Sequence, residues 1–503
     1  MPKLTLSMIV KNEEKYLREC LNSVKDVADE IILVDTGSTD NTVKIAEEYG
    51  AKIYYFDWVN DFSAARNFAL GKSTGDWILY IDADERLDNS SVAELRKIIS
   101  NNSLAAYYCT VKSYDSEVSR DNSLQYTRLF FNSQGLTFNG KVHEQIESSL
   151  IENNYHILSS NVLIHHIGYD ISIDEKRKKA LRNLSLLEEE YRIKQSAYSA
   201  FQIAQSYNVL DEIENARKYF VIAGESAELE ASLRAQCYSA LSLINHSENN
   251  VADAEKYIQM SLKHDASQPF SNLLASKISL RRGDYANADL NCKTAHQLNQ
   301  KIIAGKGHSK VTIILDPEEV IYFGLTMALQ NNNASSFNYY YRELSSFYNK
   351  KEYKQGALKL SVLQKLLNSG VLNMVEEKMF VDMANKNTLN FLLLVITNDT
   401  DRQQAVKLSN ELLHKFPTSI EISKVLAKLF DELGRSAEAI QLLETTIENN
   451  QYDPTILFYL ISFYFKNELS EKIIPIVTLL ENNYSNVPEV VERINKLKKM
   501  LSQ

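Results

Sequence analysis

Seven prolines and fifteen glycines are few for a chain of 503 residues, and they leave little material for disordered linkers. Compact structure is expected nearly throughout. Cysteine is scarcer still: Cys20, Cys109, Cys237 and Cys292 lie far apart and make no C-x-x-C pair. They read as reduced, buried thiols in a cytoplasmic protein. No apolar run approaches the length of a membrane span. Positive charge is in deficit, and a formal net charge of −10 argues against non-specific binding to nucleic acid or anionic lipid. The run Leu4–Val10 is too short for a signal peptide, lacks the basic flank and cleavage site, and reads as a first strand. The length leaves room for about three domains.

What is present is organised around Trp77-Ile78-Leu79-Tyr80-Ile81-Asp82-Ala83-Asp84-Glu85. An aromatic and β-branched run suits a buried strand, and it ends in three carboxylates within four residues, expected on the loop after that strand. In open α/β sheets, ligands sit in the crevice outside the carboxyl ends of the strands. Carboxylates crowded there repel one another unless a cation neutralises them, and hard oxygen ligands favour Mg²⁺ or Mn²⁺. The alternative is a solvated acidic turn that caps the next helix.

From residue 4 to about 100 strand and helix alternate, which implies a parallel sheet covered on both faces. Strands are expected at 4–10, 30–34 and 51–56, then at the acidic segment, with helices at about 13–25, up to residue 49, and across 63–70. Three strand ends carry polar groups on one edge: Lys11-Asn12-Glu13, Asp35-Thr36, and Asp82-Ala83-Asp84. Gly37 permits the second turn, and Ser38, Thr39 or Asp40 can cap the helix that follows. For Asp35 and the Asp82/Asp84 pair, convergence on one crevice favours a nucleotide-diphosphate site.

Met8-Ile9-Val10-Lys11-Asn12-Glu13-Glu14, Val34-Asp35-Thr36-Gly37-Ser38-Thr39-Asp40, Ala65-Arg66-Asn67 and Ile81-Asp82-Ala83-Asp84-Glu85 occur in that order. Together they resemble family 2 glycosyltransferases with the GT-A fold, a Rossmann-like α/β domain. The phrase Phe56-Asp57-Trp58-Val59-Asn60-Asp61-Phe62-Ser63 resembles the branch joined to tetratricopeptide-like repeats, which includes sublancin-type peptide S-glycosyltransferases. The resemblance is specific over roughly residues 4–90 and looser to about 170. It implies a nucleotide-sugar site formed by Val10, Lys11, Asn12, Asp35, Thr36, Arg66, Asp82 and Ala83. Asp35 would accept from the base N–H of a uridine nucleotide, Lys11 and Asn12 would lie near that base, and Arg66 would pair with base or phosphate. Asp82 would face ribose and metal, and Asp84 would be a direct metal ligand.

Residues 105–111 and 124–131 read as strands, followed by a turn-rich connection and Phe138-Asn139-Gly140-Lys141-Val142-His143-Glu144-Gln145. His143, His156, His165 and His166 are four of the nine histidines and fall within 24 residues, which marks this region for chemistry. Inverting sugar transfer needs a base for the acceptor proton and a Lewis acid for the leaving diphosphate. The resemblance makes Glu144 the base, with His143 orienting acceptor or diphosphate, and gives His166 to the metal or phosphates. His165 would face the other side of its strand. Glu85 competes with Glu144 as base.

After Asp174 the strand signal vanishes and leucine-rich helices take over. Small residues recur at repeat-like offsets: Ala204 with Ala216, Ala254 with Ala288, Ala405 with Ala439. Leu426-Ala427 through Gly434 to Ala439-Ile440 and Leu443 is the clearest repeat, and between about 300 and 400 the register is lost. The expected organisation is therefore an α/β GT-A domain at 1–172, helical repeats at 173–300, a helical region of unclear register at 301–400, and further repeats at 401–503. Such stacks often bind an extended peptide on their concave face. Otherwise they pack on the catalytic domain or make a homodimer.

The combined expectation is a cytoplasmic, Mn²⁺- or Mg²⁺-dependent, inverting glycosyltransferase without a membrane span. Its donor would be a UDP-sugar such as UDP-GlcNAc or UDP-Glc, and its acceptor a protein or peptide, such as a flagellin-like protein or a ribosomal peptide. The rivals are transfer to a surface polysaccharide or lipid-linked glycan, and a catalytically dead scaffold that binds through its repeats.

Overall fold

The computed structural model describes residues 2–501 apart from 102, 116–119, 168–171, 305–310, 351–352, 354, 451 and 486. Gly168 and Tyr169 of the second histidine segment thus lie outside the described residues. The chain divides into two compact units, Met1–Val320 and Ile321–Gln503.

The first unit opens with β1 (Leu4–Val10), α1 (Leu17–Val24), β2 (Glu30–Asp35), α2 (Thr42–Glu48), β3 (Lys52–Tyr55), α3 (Phe62–Lys72) and β4 (Trp77–Tyr80). The strands β1 and β4 are buried almost residue by residue, because helices cover both faces of a parallel sheet. Leu17, Cys20, Leu21 and Val24 are the buried face of α1, at the spacing of an amphipathic helix. These four strands run parallel in the order β3-β2-β1-β4.

The chain then continues through β5 (Glu85–Leu87), α4 (Val92–Ile99), β6 (Ala105–Asp115), β7 (Arg120–Phe131), α5 (Glu147–Glu152) and β8 (His156–His166). β7 lies antiparallel against β4 and extends the sheet through β6 and β8 to β5. Glu85 thus belongs to a strand rather than to the expected loop, paired in register with His166. Because β7 is longer than β4, its leading half would be left without a neighbour on that side. β9 (Val311–Ile314) fills the place, pairing antiparallel with Asp121–Leu124, and is a short strand in an otherwise helical run.

The helical region begins with α6 (Ile173–Ile193) and α7 (Ala197–Val209). A capping box starts α6: Ser172 Oγ accepts from the Glu175 N–H while the Glu175 carboxylate accepts from the Ser172 N–H. Leu184, Leu186 and Leu187 of α6 form one core with Ile203 of α7 and with Val142 from the loop after β7. Burying each such leucine contributes about 1.5–3 kcal/mol, so α6 is fixed to that loop by packing. The small residues Ala204, Ala216, Ala254 and Ala288 are all fully buried between helices. In the second unit Ala405, Ala427 and Ala439 are likewise buried, in one core with Leu426 and Leu443. Among the described residues, no helix is long and apolar enough to cross a membrane.

Candidate active site

The parallel order brings the C-terminal ends of β1, β2 and β4 to one edge of the sheet, where a cavity of about 660 Å³ opens. Ile9, Val10, Lys11, Glu13 and Thr36 line it from the first two strand ends, and Tyr80 and Asp82 to Glu85 from the acidic segment. Val142 to Gln145 close one side, and β6, β7 and β8 contribute Val111, Ser113, Leu124, Tyr126, Arg128 and His166. The remaining wall is helical: Lys179, Arg182 and Asn183 from α6, and Tyr198 from α7. The helical region is therefore part of the cavity itself.

The charged floor is a network. Arg66, on α3, is buried and donates from Nη2 to Asp82 at 2.6 Å and from Nε to Glu144 at 2.5 Å. Arg128 donates to Glu85 at 2.7 Å and reaches Asp82 at 3.5 Å. Both guanidinium groups lie near the Tyr80 ring, at 5.0 and 4.7 Å from its centroid, so the ring faces help to hold two like charges close together. Burial opposes the Asp82 charge, but Arg66 and Arg128 more than offset it and hold this carboxyl well below the usual carboxylate range. Burial instead raises Glu85, which Arg128 offsets only in part. The Nε of Arg128 is buried with no hydrogen-bond partner among the described residues.

One face of α3 grips the loop that carries Glu144. Ser63 Oγ donates to the Gly140 carbonyl at 2.5 Å, and the Asn67 amide both donates to the Phe138 carbonyl and accepts from the Phe138 N–H. Ser63, Arg66 and Asn67 sit at i, i+3 and i+4, which is one helix face. Gly140 turns with φ near +99°, and Asn139 and Gln145 pair across the loop base. From the other side, Glu190 of α6 accepts from the Lys141 N–H at 2.8 Å. The loop is thus held between α3 and α6, with Glu144 pointing at Arg66.

Asp84, in the turn between β4 and β5, meets His166 at the end of β8, with His166 Nε2 at 3.2 Å from Asp84 Oδ2. Burial would lower the His166 pKa, but its bond to Asp84 and the neighbouring acids raise it above the ordinary value. Glu13 faces the same acids, and burial first, then the charges of Asp84 and Asp82, push its carboxyl up to about 7. Among the described residues, no three His, Cys, Asp or Glu side chains form a ready-made cage. The donor set fits an open divalent site instead, in which Asp84 and His166 would be the protein ligands and the other positions would be left for phosphate oxygens and water. Asp82 fits less well, because two arginines already neutralise it. The mutual repulsion of Glu13 and Asp84 is what a bound cation would relieve.

Of the residues expected around the nucleotide sugar, Val10, Lys11, Thr36, Arg66, Asp82 and Ala83 line the cavity, with Asp84, His143, Glu144 and His166. Asn12 and Asp35 do not. The Asp35 carboxylate is buried and accepts from the Gly37 and Ser38 N–H groups at 3.1–3.2 Å, bracing its own turn. Asn12 adopts φ near +57° and accepts from the Thr39 N–H at 2.8 Å, tying the first strand end to that turn. Arg66, expected on base or phosphate, uses Nε and Nη2 on carboxylates. His143 is solvent-accessible yet hemmed in by the cavity walls, and this crowding lowers its pKa while Glu144 pulls the other way. His165 bonds Asp88 at 2.8 Å on the opposite strand face, and His156 is exposed at the start of β8. Glu85, the rival base, is buried with one oxygen on Arg128 and the other accepting from the Asp82 N–H. Arg128, Lys179 and Arg182 were not singled out by any motif.

Residues 5–156 match the family model described as glycosyl transferase family 2. A TPR repeat-containing protein of Synechococcus elongatus is 39% identical over 194 residues, covering 37% of this chain and 48% of that protein. The SPbeta prophage-derived glycosyltransferase SunS of Bacillus subtilis is 34% identical over 226 residues, 43% of this chain and 52% of that protein. The chain thus spans about half the length of these curated relatives. Among solved structures, S. aureus TarS 1-349 in complex with UDP-GlcNAc is 16% identical, covers 61% of this chain and 93% of that one, and superposes with a TM-score of only 0.29.

Proposed function

We propose that the family 2 glycosyltransferase domain at the head of this chain transfers a sugar, with inversion, from a nucleotide-sugar to a polypeptide acceptor. The observation that carries this reading is one cavity in which the Asp84–His166 pair and an Arg66-bound Glu144 converge. Its volume of about 660 Å³ suits a nucleotide-sugar with room for an acceptor group.

The nucleoside lies along the ends of β1 and β2, against Val10, Lys11 and Thr36, and the sugar sits over the Tyr80–Ala83 segment. A UDP-sugar is the donor that the family resemblance favours. Glu144 takes the proton from the acceptor atom as that atom attacks the anomeric carbon. The bond to the diphosphate breaks, and the nucleoside diphosphate leaves with the bonding pair. Arg66 holds Glu144 aimed through its Nε bond, and links it to the ribose-side Asp82. His143, at the loop's left-handed turn, orients the incoming group. Asp84 and His166 would hold Mn²⁺ or Mg²⁺, which when bound neutralises charge on the diphosphate. A polypeptide acceptor is favoured because α6 and α7 wall the cavity, so that whatever the helices bind is delivered beside Glu144.

Incubation with a panel of nucleotide-sugars and Mn²⁺, followed by assay of released nucleoside diphosphate, tests the reading. Slow hydrolysis of one donor, abolished by chelator and by Asp84→Ala, is expected. No hydrolysis of any donor by a protein that binds UDP would favour a dead scaffold, and hydrolysis indifferent to chelator would remove the metal.

A further inference from the structure

The cavity's cations divide into two kinds. Arg66 and Arg128 are buried and ion-paired with Asp82, Glu85 and Glu144. Lys179 and Arg182, one turn apart on α6, face the same cavity, and among the described residues neither has a carboxylate within ion-pair distance. Among the described residues the Arg182 guanidinium donates only to its neighbour Asn183, at 3.1–3.2 Å, and lies 5.5 Å from the Phe62 ring centroid. Partial burial lowers its pKa, and among the described residues no carboxylate balances its charge. An acidic protein has ample carboxylate to pair both groups, yet among the described residues neither is paired.

Their placement points to an extended anion. Both line the same cavity as Glu13, just beyond β1, and His143 beside Glu144. Together they span the cavity from the strand ends to the loop that carries the candidate base. We propose that Lys179 and Arg182 form a clamp for the diphosphate of the nucleotide donor, supplied by the first helix of the helical region. This rests on the reading of the cavity as a nucleotide-sugar site and assigns α6 a part in it. The leaving diphosphate gains one negative charge as the glycosidic bond breaks. Fixed cations in a preformed cavity stabilise that gain more than they stabilise the intact donor. The clamp therefore binds the nucleoside diphosphate product more tightly than the donor.

Both side chains are solvent-accessible, so Lys179→Gln and Arg182→Gln should fold, as thermal melts of the full chain can verify. The experiment is calorimetric titration of the full chain, in Mn²⁺, with UDP, GDP and ADP, and with the nucleoside matching whichever binds. Each charge-assisted contact is worth roughly tenfold in affinity. The double variant should therefore bind the nucleoside diphosphate roughly thirty- to a hundredfold more weakly, with affinity for the bare nucleoside unchanged. Unchanged diphosphate affinity in the double variant overturns the clamp, as does an equal loss for nucleoside and diphosphate. A wild-type chain that binds none of the three diphosphates overturns the nucleotide-sugar reading and the clamp with it.

Discussion

Replacing Arg66 by Met should loosen the loop that carries Glu144. The guanidinium is buried and bridges two carboxylates, at 2.6 Å to Asp82 and 2.5 Å to Glu144. Removing one partner of a buried pair generally costs about 3–5 kcal/mol, because a charge is left uncompensated. Here the low end applies. Asp82 keeps Arg128 and is 41% exposed, whereas Glu144 is only 12% exposed and loses its cation. A loss of about 3 kcal/mol in the local opening free energy corresponds to a rise of roughly a hundredfold in amide exchange rate. Hydrogen exchange followed by mass spectrometry reads this directly on peptides covering α3 and residues 138–145, with peptides from α1 and α2 as reference. Adding Glu144→Gln should restore about 1–2 kcal/mol, since the unpaired charge is then gone. Exchange within threefold of wild type, or simple additivity in the double variant, would refute the bridge as the element that holds this loop.

Two other predictions concern single carboxylates. Glu144→Gln should leave nucleoside diphosphate affinity intact while turnover falls by about two to four orders of magnitude, and a near-normal rate would move the base elsewhere. Glu13 binds its proton more tightly in the folded, metal-free chain than in the unfolded chain, with a pKa pushed up to about 7. Its contribution to stability is therefore complete below about pH 4.5 and is lost as the pH rises through about 7. In chelator, melting temperature should fall over that window for the wild type and stay flatter for Glu13→Gln; equal slopes would count against the crowded acidic site.

The strand ends were legible because each is an apolar run that stops at polar groups, and a β–α alternation admits one arrangement of such ends. Val10, Thr36, Asp82 and Asp84 needed no long-range information to be placed on one edge. Arg128 did. In Tyr126-Thr127-Arg128-Leu129 it reads as the polar member of an alternating strand, and only the β4–β7 register sets it beside Tyr80 and over Glu85. Lys179 and Arg182 lie in a basic stretch that local pattern cannot tell from a solvated helix face. What was not legible at Asp35 is its local bonding: Gly37, with φ near +107°, curls the turn so that the Gly37 and Ser38 N–H groups reach the carboxylate. The strand Val311–Ile314 was not legible at all, because the sequence after Asp174 reads as helix throughout, and its partner, the unmatched half of β7, lies almost two hundred residues earlier.

The most direct test of the central claim is the anomeric configuration of the sugar released from an α-linked nucleotide-sugar, followed by proton NMR before mutarotation. A single displacement, with Glu144 as base and no protein nucleophile, predicts that the β anomer appears first. First appearance of the α anomer would mean retention, and would contradict the account of how this cavity works.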